Sequence, residues 1–131
     1  MKKIFVIGLM LLISAFAMTA IAAQPTAPAD GIKMERTKKP LVFNHSKHVW
    51  AGCAVCHHPI DGQENYVACA TAGCHDVLGI KDKSINSYYQ IAHKAKGAKY
   101  YTCISCHIAN ARDDKELQKQ LAGCAKSACH S

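Results

Sequence analysis

Eight cysteines and eight histidines carry most of the chemistry available to this 131-residue chain. In four places a pair of cysteines is followed directly by a histidine. The motifs are Cys53-x-x-Cys56-His57, Cys69-(x4)-Cys74-His75, Cys103-x-x-Cys106-His107 and Cys124-(x4)-Cys129-His130. The two-residue spacing is the signature for covalent attachment of a c-type haem, in which two thiols bond the vinyl groups and the histidine binds the iron. The four-residue spacing is a widened version of the same motif, so the sequence predicts four covalently attached haems.

Four further histidines lie outside the motifs, namely His45, His48, His58 and His93. Four irons with two axial positions each need eight histidines, and the chain has eight. His58 follows His57 directly and cannot bind the same iron, because axial ligands lie on opposite faces of the porphyrin. We therefore predict that all eight histidines are iron ligands. The four histidines outside the motifs can be assigned to the four irons in 24 ways. Excluding His58 from the iron of His57 leaves 18 of them.

Two other kinds of site use similar residues. Eight cysteines in a short exported chain could form four disulfides, as in a secreted binding module, but that leaves the histidines unexplained. Structural zinc is also bound by cysteine and histidine, yet tetrahedral zinc does not require a histidine directly after every second cysteine. Both interpretations are weaker than haem attachment.

Residues 1–23 have the form of a cleaved secretory signal. Lys2 and Lys3 precede an apolar run that is too short to span a membrane as a stable helix, and Ala20-Ile21-Ala22 has the small-x-small pattern of a processing site. Cleavage after Ala22 or Ala23 would leave one domain, residues 24–131. Attachment of haem to thiols outside the cytosol agrees with a location in a bacterial periplasm.

The mature chain has few residues for an ordinary apolar core. Leu, Ile, Val and Phe number 17 of its 108 residues, below the roughly 20% that normally supports a folded domain. Four haems would supply the missing apolar surface, so we expect the polypeptide to wrap them. The apoprotein should not fold stably, because cofactor binding energy here is also folding energy.

Local patterns predict a mainly α-helical fold with long loops and a small N-terminal β-hairpin. The hairpin joins residues 32–35 to Leu41-Val42-Phe43 through a basic turn at residues 37–40. Ser46 is predicted to cap a short helix that carries His48 and Trp50. Asp61-Gly62 marks a turn.

Two longer helices are predicted in the second half of the chain. Residues 84–95 have Tyr88, Ile91 and Ala92 on one helical face beside His93, with Gly97 after the end. Asp113-x-x-Glu116 resembles a capping box that opens a second helix, with Leu117 and Leu121 turned inward. Most of the remaining chain is predicted to be loop.

Adjacent ligands would hold haems close together. The Cα atoms of His57 and His58 are ~3.8 Å apart, and an iron lies roughly 6.5 Å from the Cα of its ligand, so the two irons can be at most about 17 Å apart. The pair His45 and His48 would do the same for two haems, with Cα atoms at most about 10 Å apart. Such distances suit electron tunnelling.

The order and spacing of these residues resemble the tetrahaem cytochrome c3 family, the class III c-type cytochromes of sulfate-reducing bacteria. The resemblance covers the mature chain. It rests on F-N-H-S-K-H at 43–48, C-A-V-C-H-H-P at 53–59, T-A-G-C-H-D at 71–76, the lone His93 and the terminal C-H-S.

The resemblance implies one set of axial pairs. Haem 1 would have His57 and His45, haem 2 His75 and His58, haem 3 His107 and His48, and haem 4 His130 and His93. It also places Phe43 against the haems.

The resemblance further implies a periplasmic low-potential electron carrier, accepting electrons from hydrogenase and passing them to membrane redox complexes in sulfate respiration. Closed axial sites argue against catalysis at iron, so we expect no enzyme activity; a multihaem reductase remains the alternative. Bis-histidine ligation lacks the methionine thioether that raises haem potential. We expect a monomer.

Lysines flank both predicted ligands of haem 4, at positions 94, 96, 99, 115, 119 and 126. We interpret them as a rim that steers an acidic partner. The 14 basic and 9 acidic side chains of the mature chain balance to +5. Eight propionates and four ferric porphyrins would bring this to about +1, which argues against nucleic-acid binding as a function.

Overall fold

The computed structural model describes residues 24–36, 39–125 and 127–130. The predicted signal segment, residues 1–23, lies outside the described residues. Within them, the chain forms a small antiparallel sheet, two short 3-10 helices and four short α-helices joined by long loops. The predicted fold class is therefore confirmed, with helices that are shorter than expected.

The N-terminal hairpin forms where the sequence predicts it. Strand β1 (Ile32–Met34) pairs antiparallel with β2 (Leu41–Phe43), and Ile32 lies opposite Phe43. Thr37 and Lys38 of the predicted basic turn lie outside the described residues. The hairpin ends directly before the first pair of histidines, so it fixes where that segment begins.

The segment after the hairpin differs from the prediction. Two 3-10 helices, His45–Lys47 and Val49–Ala51, replace the single helix expected there, and Asn44 rather than Ser46 is the N-cap of the first. Ser46 instead bonds Asp30, its backbone N–H to Oδ1 at 2.9 Å and its hydroxyl to Oδ2. The serine thus ties the segment to the entry of the hairpin, a long-range contact that a local pattern cannot reveal.

The first motif lies on a single helical turn, α1 (Cys53–Cys56), which begins after Gly52. Gly52 has φ of 76°, a conformation that favours glycine. Further on, Asp61 and Gly62 both have positive φ, and Ile60 and Gln63 bond each other across them. The predicted turn at Asp61-Gly62 is confirmed.

Helix α2 (Tyr88–His93) is much shorter than the predicted 84–95. Ser87 caps it by accepting the N–H of Gln90, and the residues before it form a turn instead of a first helical turn. The helix ends at His93, and Lys94 rather than Gly97 is its C-cap. Short polar side chains that bond backbone groups compete with helix extension, which explains the late start.

Helix α3 (Cys103–Ala111) was not predicted. Thr102 and Ser105 form a capping box at its start, each side chain accepting the other's backbone N–H. Helix α4 (Lys115–Ala122) was predicted, but Asp114 rather than Asp113 is its cap, accepting the N–H of Leu117 at 2.9 Å.

Helices α3 and α4 pack against each other, and α2 packs against α3. The packing is thin in apolar side chains. Among the described residues only Tyr88 and Ala111 are buried hydrophobic residues, and Leu117, predicted to point inward, is exposed. The polypeptide by itself therefore has almost no conventional core, as its composition predicted. No helix in the described ranges is long and apolar enough to cross a membrane.

Candidate haem-binding site

All eight motif cysteines are free thiols, none joined in a disulfide. Cysteines from different motifs lie near one another: burial raises the pKa of Cys103 to about 11, and the charges of Cys56, Cys69 and Cys129 add to the shift. Burial likewise raises the pKa of Cys56 and Cys69. A raised pKa keeps a thiol in its neutral form, and the side chains of Cys56, Cys69 and Cys103 are nonetheless exposed at the surface of the polypeptide.

Each of three motif histidines lies opposite a histidine from outside the motifs. The ring centroids are 6.2 Å apart for His48 and His107, 6.0 Å for His58 and His75, and 6.1 Å for His93 and His130. These contacts join residues that are 59, 17 and 37 positions apart, so the tertiary fold makes them.

The remaining two histidines, His45 and His57, are also neighbours. Burial lowers the pKa of His57 below its usual value, and the nearby His45 ring lowers it further. A ligand to iron must be neutral at the coordinating nitrogen, so a lowered pKa favours the state that binds metal.

Most of the histidine rings are oriented by the backbone. The Nδ1 atoms lie within hydrogen-bond distance of carbonyl oxygens, and a ring nitrogen that donates there leaves Nε2 for a metal. The partners are Asn44 for His48 at 2.9 Å, Ile85 for His75 at 2.7 Å, Tyr89 for His93 at 3.0 Å, Leu121 for His107 at 2.9 Å and Pro59 for His58 at 3.4 Å. The ring of His57 hydrogen-bonds the backbone of Val67.

His45 and His130 differ, because their buried Nδ1 atoms have no partner among the described residues. Buried polar atoms are normally satisfied, so an orphaned ring nitrogen indicates that a bound group or an ordered water belongs beside it. Both residues are members of the proposed axial set.

The ring separations fit an iron atom between each pair. With an iron–nitrogen bond of about 2 Å and a ring centre roughly 1.2 Å from its nitrogen, two imidazoles on one iron have centres ~6.4 Å apart. The three observed separations are 6.0–6.2 Å. A cavity of about 230 Å³ is lined by residues of one such pair and its motif, including His58, Cys69, Cys74 and His75. The residues present therefore fit haem c.

Aromatic rings support several of these histidines. Phe43 stacks on His48 with centroids 4.6 Å apart and meets His45 edge-on at 4.9 Å. Phe43 thus contacts two of the proposed ligands, and its position against the haems stays a prediction.

Three tyrosines in similar roles were missed by the sequence reasoning. Tyr89 stacks on His93 at 4.0 Å, Tyr100 on His58 at 4.3 Å, and Tyr66 lies 5.8 Å from His57. The i, i+4 spacing of Tyr89 and His93 on one helix is a signal that could have been used. The contacts of Tyr66 and Tyr100 join residues 9 and 42 positions apart and leave no trace in the sequence pattern.

Asp30 was also missed. Asp30 accepts the bonds from Ser46 described above. Next to it, the Gly31 N–H donates to Asn44 Oδ1 at 2.9 Å. The hydrogen bonds from Ser46 lower the pKa of Asp30 below its usual value, with the charges of His45 and Lys47 adding to the effect. We call Asp30, Gly31, Asn44 and Ser46 the entry clamp, because together they fix the segment that carries His45 and His48.

The lysines predicted to form a rim lie beside the proposed haem 4 ligands in the chain. Lys94, Lys96 and Lys99 are exposed and follow α2, and Lys115 and Lys119 are exposed on α4. Lys126 lies outside the described residues. Lys99 Nζ lies 5.2 Å from the centre of the Tyr100 ring.

Comparisons with known proteins agree on one family. The sequence pattern of the class III cytochrome c family matches residues 20–130. Cytochrome c3 of Nitratidesulfovibrio vulgaris strain Hildenborough is 50% identical over 130 residues, which is 99% of both chains. A nine-haem cytochrome c of Desulfovibrio desulfuricans is 35% identical over 95 residues, covering 66% of this chain and 26% of that protein.

Solved structures give the same result for the fold. Cytochrome c3 from Desulfovibrio desulfuricans Essex 6 matches with a TM-score of 0.76 at 37% identity, covering 82% of this chain and all of that one. A solution structure of fully oxidised cytochrome c3 from Desulfovibrio desulfuricans has the same TM-score, identity and coverage.

Proposed function

This chain belongs to the class III cytochrome c family and is a multihaem electron-transfer protein, and we propose that it carries four c-type haems, each with two histidine ligands. The pairs are His57 with His45, His75 with His58, His107 with His48, and His130 with His93. The eight motif cysteines form the thioether bonds.

One observation carries the proposal: in three pairs of histidines that are far apart in the sequence, the ring centres lie 6.0–6.2 Å apart. In the two pairs with near-parallel rings, His48 with His107 and His93 with His130, the centres are farther apart than those of the directly stacked Tyr89 and His93, at 4.0 Å. His58 and His75 meet at 76°. A gap of about one atom between two imidazoles suits a metal ion between them.

Each bound haem iron would supply one-electron chemistry by cycling between its ferric and ferrous states. The chain's own residues would hold the iron and set its potential. Two imidazoles would bind each iron, and carbonyl oxygens lie 2.9 Å from the Nδ1 atoms of His48 and His107, where a donated Nδ1 proton would raise the basicity of those ligands. Basic nitrogen ligands favour the ferric state, so low potentials follow.

The same residues connect the sites. His57 and His58 are adjacent in the chain but would ligate two different haems, and Phe43 contacts both His45 and His48. These short links support electron transfer through the molecule rather than chemistry at any single iron.

Occupied axial positions leave no place for a substrate, which favours a carrier over the alternative of a multihaem reductase. We further propose that the protein works in the periplasm as a monomer. It would take electrons from a hydrogenase and pass them to membrane redox complexes, with the lysine rim near haem 4 as the docking surface.

Absorption and mass spectra of the purified mature protein test the proposal. We expect four covalent haem masses, low-spin spectra in both oxidation states and no change on adding CO. A high-spin component that binds CO would mean that one histidine is not a ligand and would favour the reductase. A colourless protein of unmodified mass would favour the disulfide-stapled module.

A further inference from the structure

The second motif, from Cys69 to His75, differs from the two standard motifs in its backbone. The standard motifs lie on α1 and α3, where helical hydrogen bonds fix the chain up to the motif histidine. The second motif is a series of turns, in which the N–H of Cys74 bonds the carbonyl of Thr71 and the N–H of His75 bonds the carbonyl of Cys69. Gly73 within it has φ of 83°. Further support for the histidine must therefore come from another part of the chain.

That support comes from Ile85 and Asn86, which we call the brace. The side-chain amide of Asn86 donates to the carbonyl of Cys74 at 2.6 Å and to that of Gly73 at 3.2 Å, the two residues directly before His75. Both partners are carbonyl oxygens, so the amide must present its nitrogen to them. The carbonyl of Ile85 lies 2.7 Å from Nδ1 of His75. The brace thus holds both the backbone before the histidine and the imidazole ring.

The brace is itself fixed to the rest of the molecule. The carbonyl of Asn86 accepts the N–H of Val77 at 3.1 Å, and the carbonyl of Val77 accepts the N–H of Tyr88 at 2.9 Å. The next residue, Ser87, is fully buried, donates its hydroxyl to the carbonyl of Asp82 and caps α2. A support that is held on both sides can orient a ligand, because its own position is determined.

The fourth motif has the same four-residue spacing but a different environment. The Nδ1 atom of its histidine, His130, is buried and has no partner among the described residues, whereas that of His75 has the Ile85 carbonyl. The spacing of the cysteines alone therefore does not produce a brace. It depends on the residues that precede α2.

We propose that Asn86 is a positioning residue for the second haem site, an inference that rests on the ligand set proposed above. By holding the two carbonyls before His75, it fixes the backbone that carries this ligand. The carbonyl of Ile85 then orients the ring and leaves Nε2 for the iron. Asn86 thus does for a motif built of turns what helical hydrogen bonds do for the two standard motifs.

Hydrogen exchange in the reduced, diamagnetic holoprotein tests this at the histidine itself. If His75 binds iron through Nε2, its Nδ1 proton is bonded to Ile85 and exchanges with solvent only when that bond opens. Asn86→Ala removes both amide bonds and should raise the exchange rate of this proton about tenfold. The Nδ1 atom of His107 lies 2.9 Å from the carbonyl of Leu121, and its proton should exchange at the native rate in the same sample.

A second measurement is the ferric NMR spectrum, because the methyl resonances of a haem depend on the orientation of its axial rings. In Asn86→Ala those of the second haem should shift while the other three haems keep theirs. Asn110→Ala is a matched control. The Asn110 amide donates to the carbonyl of Cys106 at 2.9 Å and lies 3.3 Å from its Sγ, within helix α3. Since the helix holds that motif without it, the His107 proton should exchange at the native rate in this variant.

A native exchange rate at His75 in Asn86→Ala would overturn the proposal. So would equal acceleration at His75 and His107, because the variant would then only lower the stability of the whole fold. If Asn86→Ala yields too little holoprotein, Asn86→Asp makes the same comparison, since it keeps the shape of the side chain and replaces the donor with an oxygen. The ligand set is tested separately in the native protein, where fewer than four haems or a high-spin haem would contradict it.

Discussion

Between His45 and His58, four histidines lie on or beside two 3-10 helices and one helical turn, whereas between Tyr88 and Ala122 two histidines lie on capped α-helices. We call these the turn segment and the helical segment. Both carry proposed axial ligands at similar ring separations, 6.2 Å for His48 with His107 and 6.1 Å for His93 with His130. The same ligand geometry is thus reached from two different kinds of backbone.

The hydrogen bonds that stabilise the two segments span different distances along the sequence. The entry clamp fixes the turn segment through bonds that span 13 and 16 residues, from Gly31 to Asn44 and from Asp30 to Ser46. The helical segment uses caps that reach three residues, at Ser87, Thr102 and Asp114. Dense ligand spacing leaves no room for a full helix in the turn segment, so distant residues must supply the order that capping supplies elsewhere.

The segments also differ in charge. The helical segment and the residues after α2 carry five exposed lysines of the proposed rim, whereas Lys47 is the lysine of the turn segment. Under the proposed function, docking and electron transfer between haems would therefore fall to different parts of the chain: the helical segment would meet a partner, and the turn segment would connect the haems.

The largest effects should come from changing one ligand in each segment. His48→Met and His93→Met should each raise the potential of one haem by on the order of 100 mV, because a thioether replaces an imidazole. Potentiometric titration followed by paramagnetic NMR identifies the haem that responds. All four haems should stay attached, since the thioether bonds are untouched. Four unchanged potentials would show that the altered histidine is not a ligand.

Removal of a cap should destabilise the helical segment. Thr102 is buried, caps α3 and also donates its hydroxyl to the carbonyl of Lys94 at 2.7 Å. Thr102→Ala should lower the free energy of unfolding by about 1–2 kcal/mol, measured by denaturant titration of the holoprotein. Thr71→Ala, at an exposed position, is the control and should change it by less than about 0.5 kcal/mol. Equal effects at the two sites would mean that the cap contributes nothing.

The turn segment should instead respond to pH through the entry clamp. The pKa of Asp30 is lowered in the folded protein by its bonds to Ser46, so the ionised form stabilises the fold above the usual value of 3.8. That contribution is lost as the pH falls through the lowered value. Asp30→Asn should therefore be less stable than the native protein at pH 7, and the difference should shrink in acid.

Thermal unfolding of both proteins across that range measures the effect, with Asp61→Asn as a control of equal charge change in an exposed turn. A stability difference that stayed constant with pH would show that the carboxylate is not the group that matters. A shift confined to haems 1 and 3 in the Asp30→Asn spectra would localise the change to His45 and His48.

The smallest effects should come from surface charge. Lys94→Glu/Lys96→Glu should slow electron uptake from a hydrogenase several-fold at low ionic strength, because steering by the rim is lost. Lys33→Glu/Lys47→Glu changes the net charge equally at the hairpin and the turn segment and should have less effect. The rates should converge at high salt, where screening removes steering. Equal slowing by both pairs would mean that net charge, and no particular rim, governs docking.

Much of this protein could be predicted from its sequence because its chemistry is encoded at short range. A haem motif needs two thiols and a histidine at fixed local spacing, so Cys53, Cys56 and His57 are recognisable without a fold. The hairpin, the turn at Asp61-Gly62 and the scarcity of apolar residues are likewise local or compositional, and the structure agrees with each.

The tertiary structure decided what depends on residues far apart in the chain. The sequence left 18 ways to assign the histidines outside the motifs, and folding brings His48 to His107 and His93 to His130. The hydrogen bond from Ser46 to Asp30 and the stacking of Tyr100 on His58 likewise join residues that no local pattern connects. The observed ends of α2 and α4 also differ from the predicted ends by one or more residues. Which backbone group a hydroxyl or carboxylate side chain bonds depends on how the surrounding loops are placed.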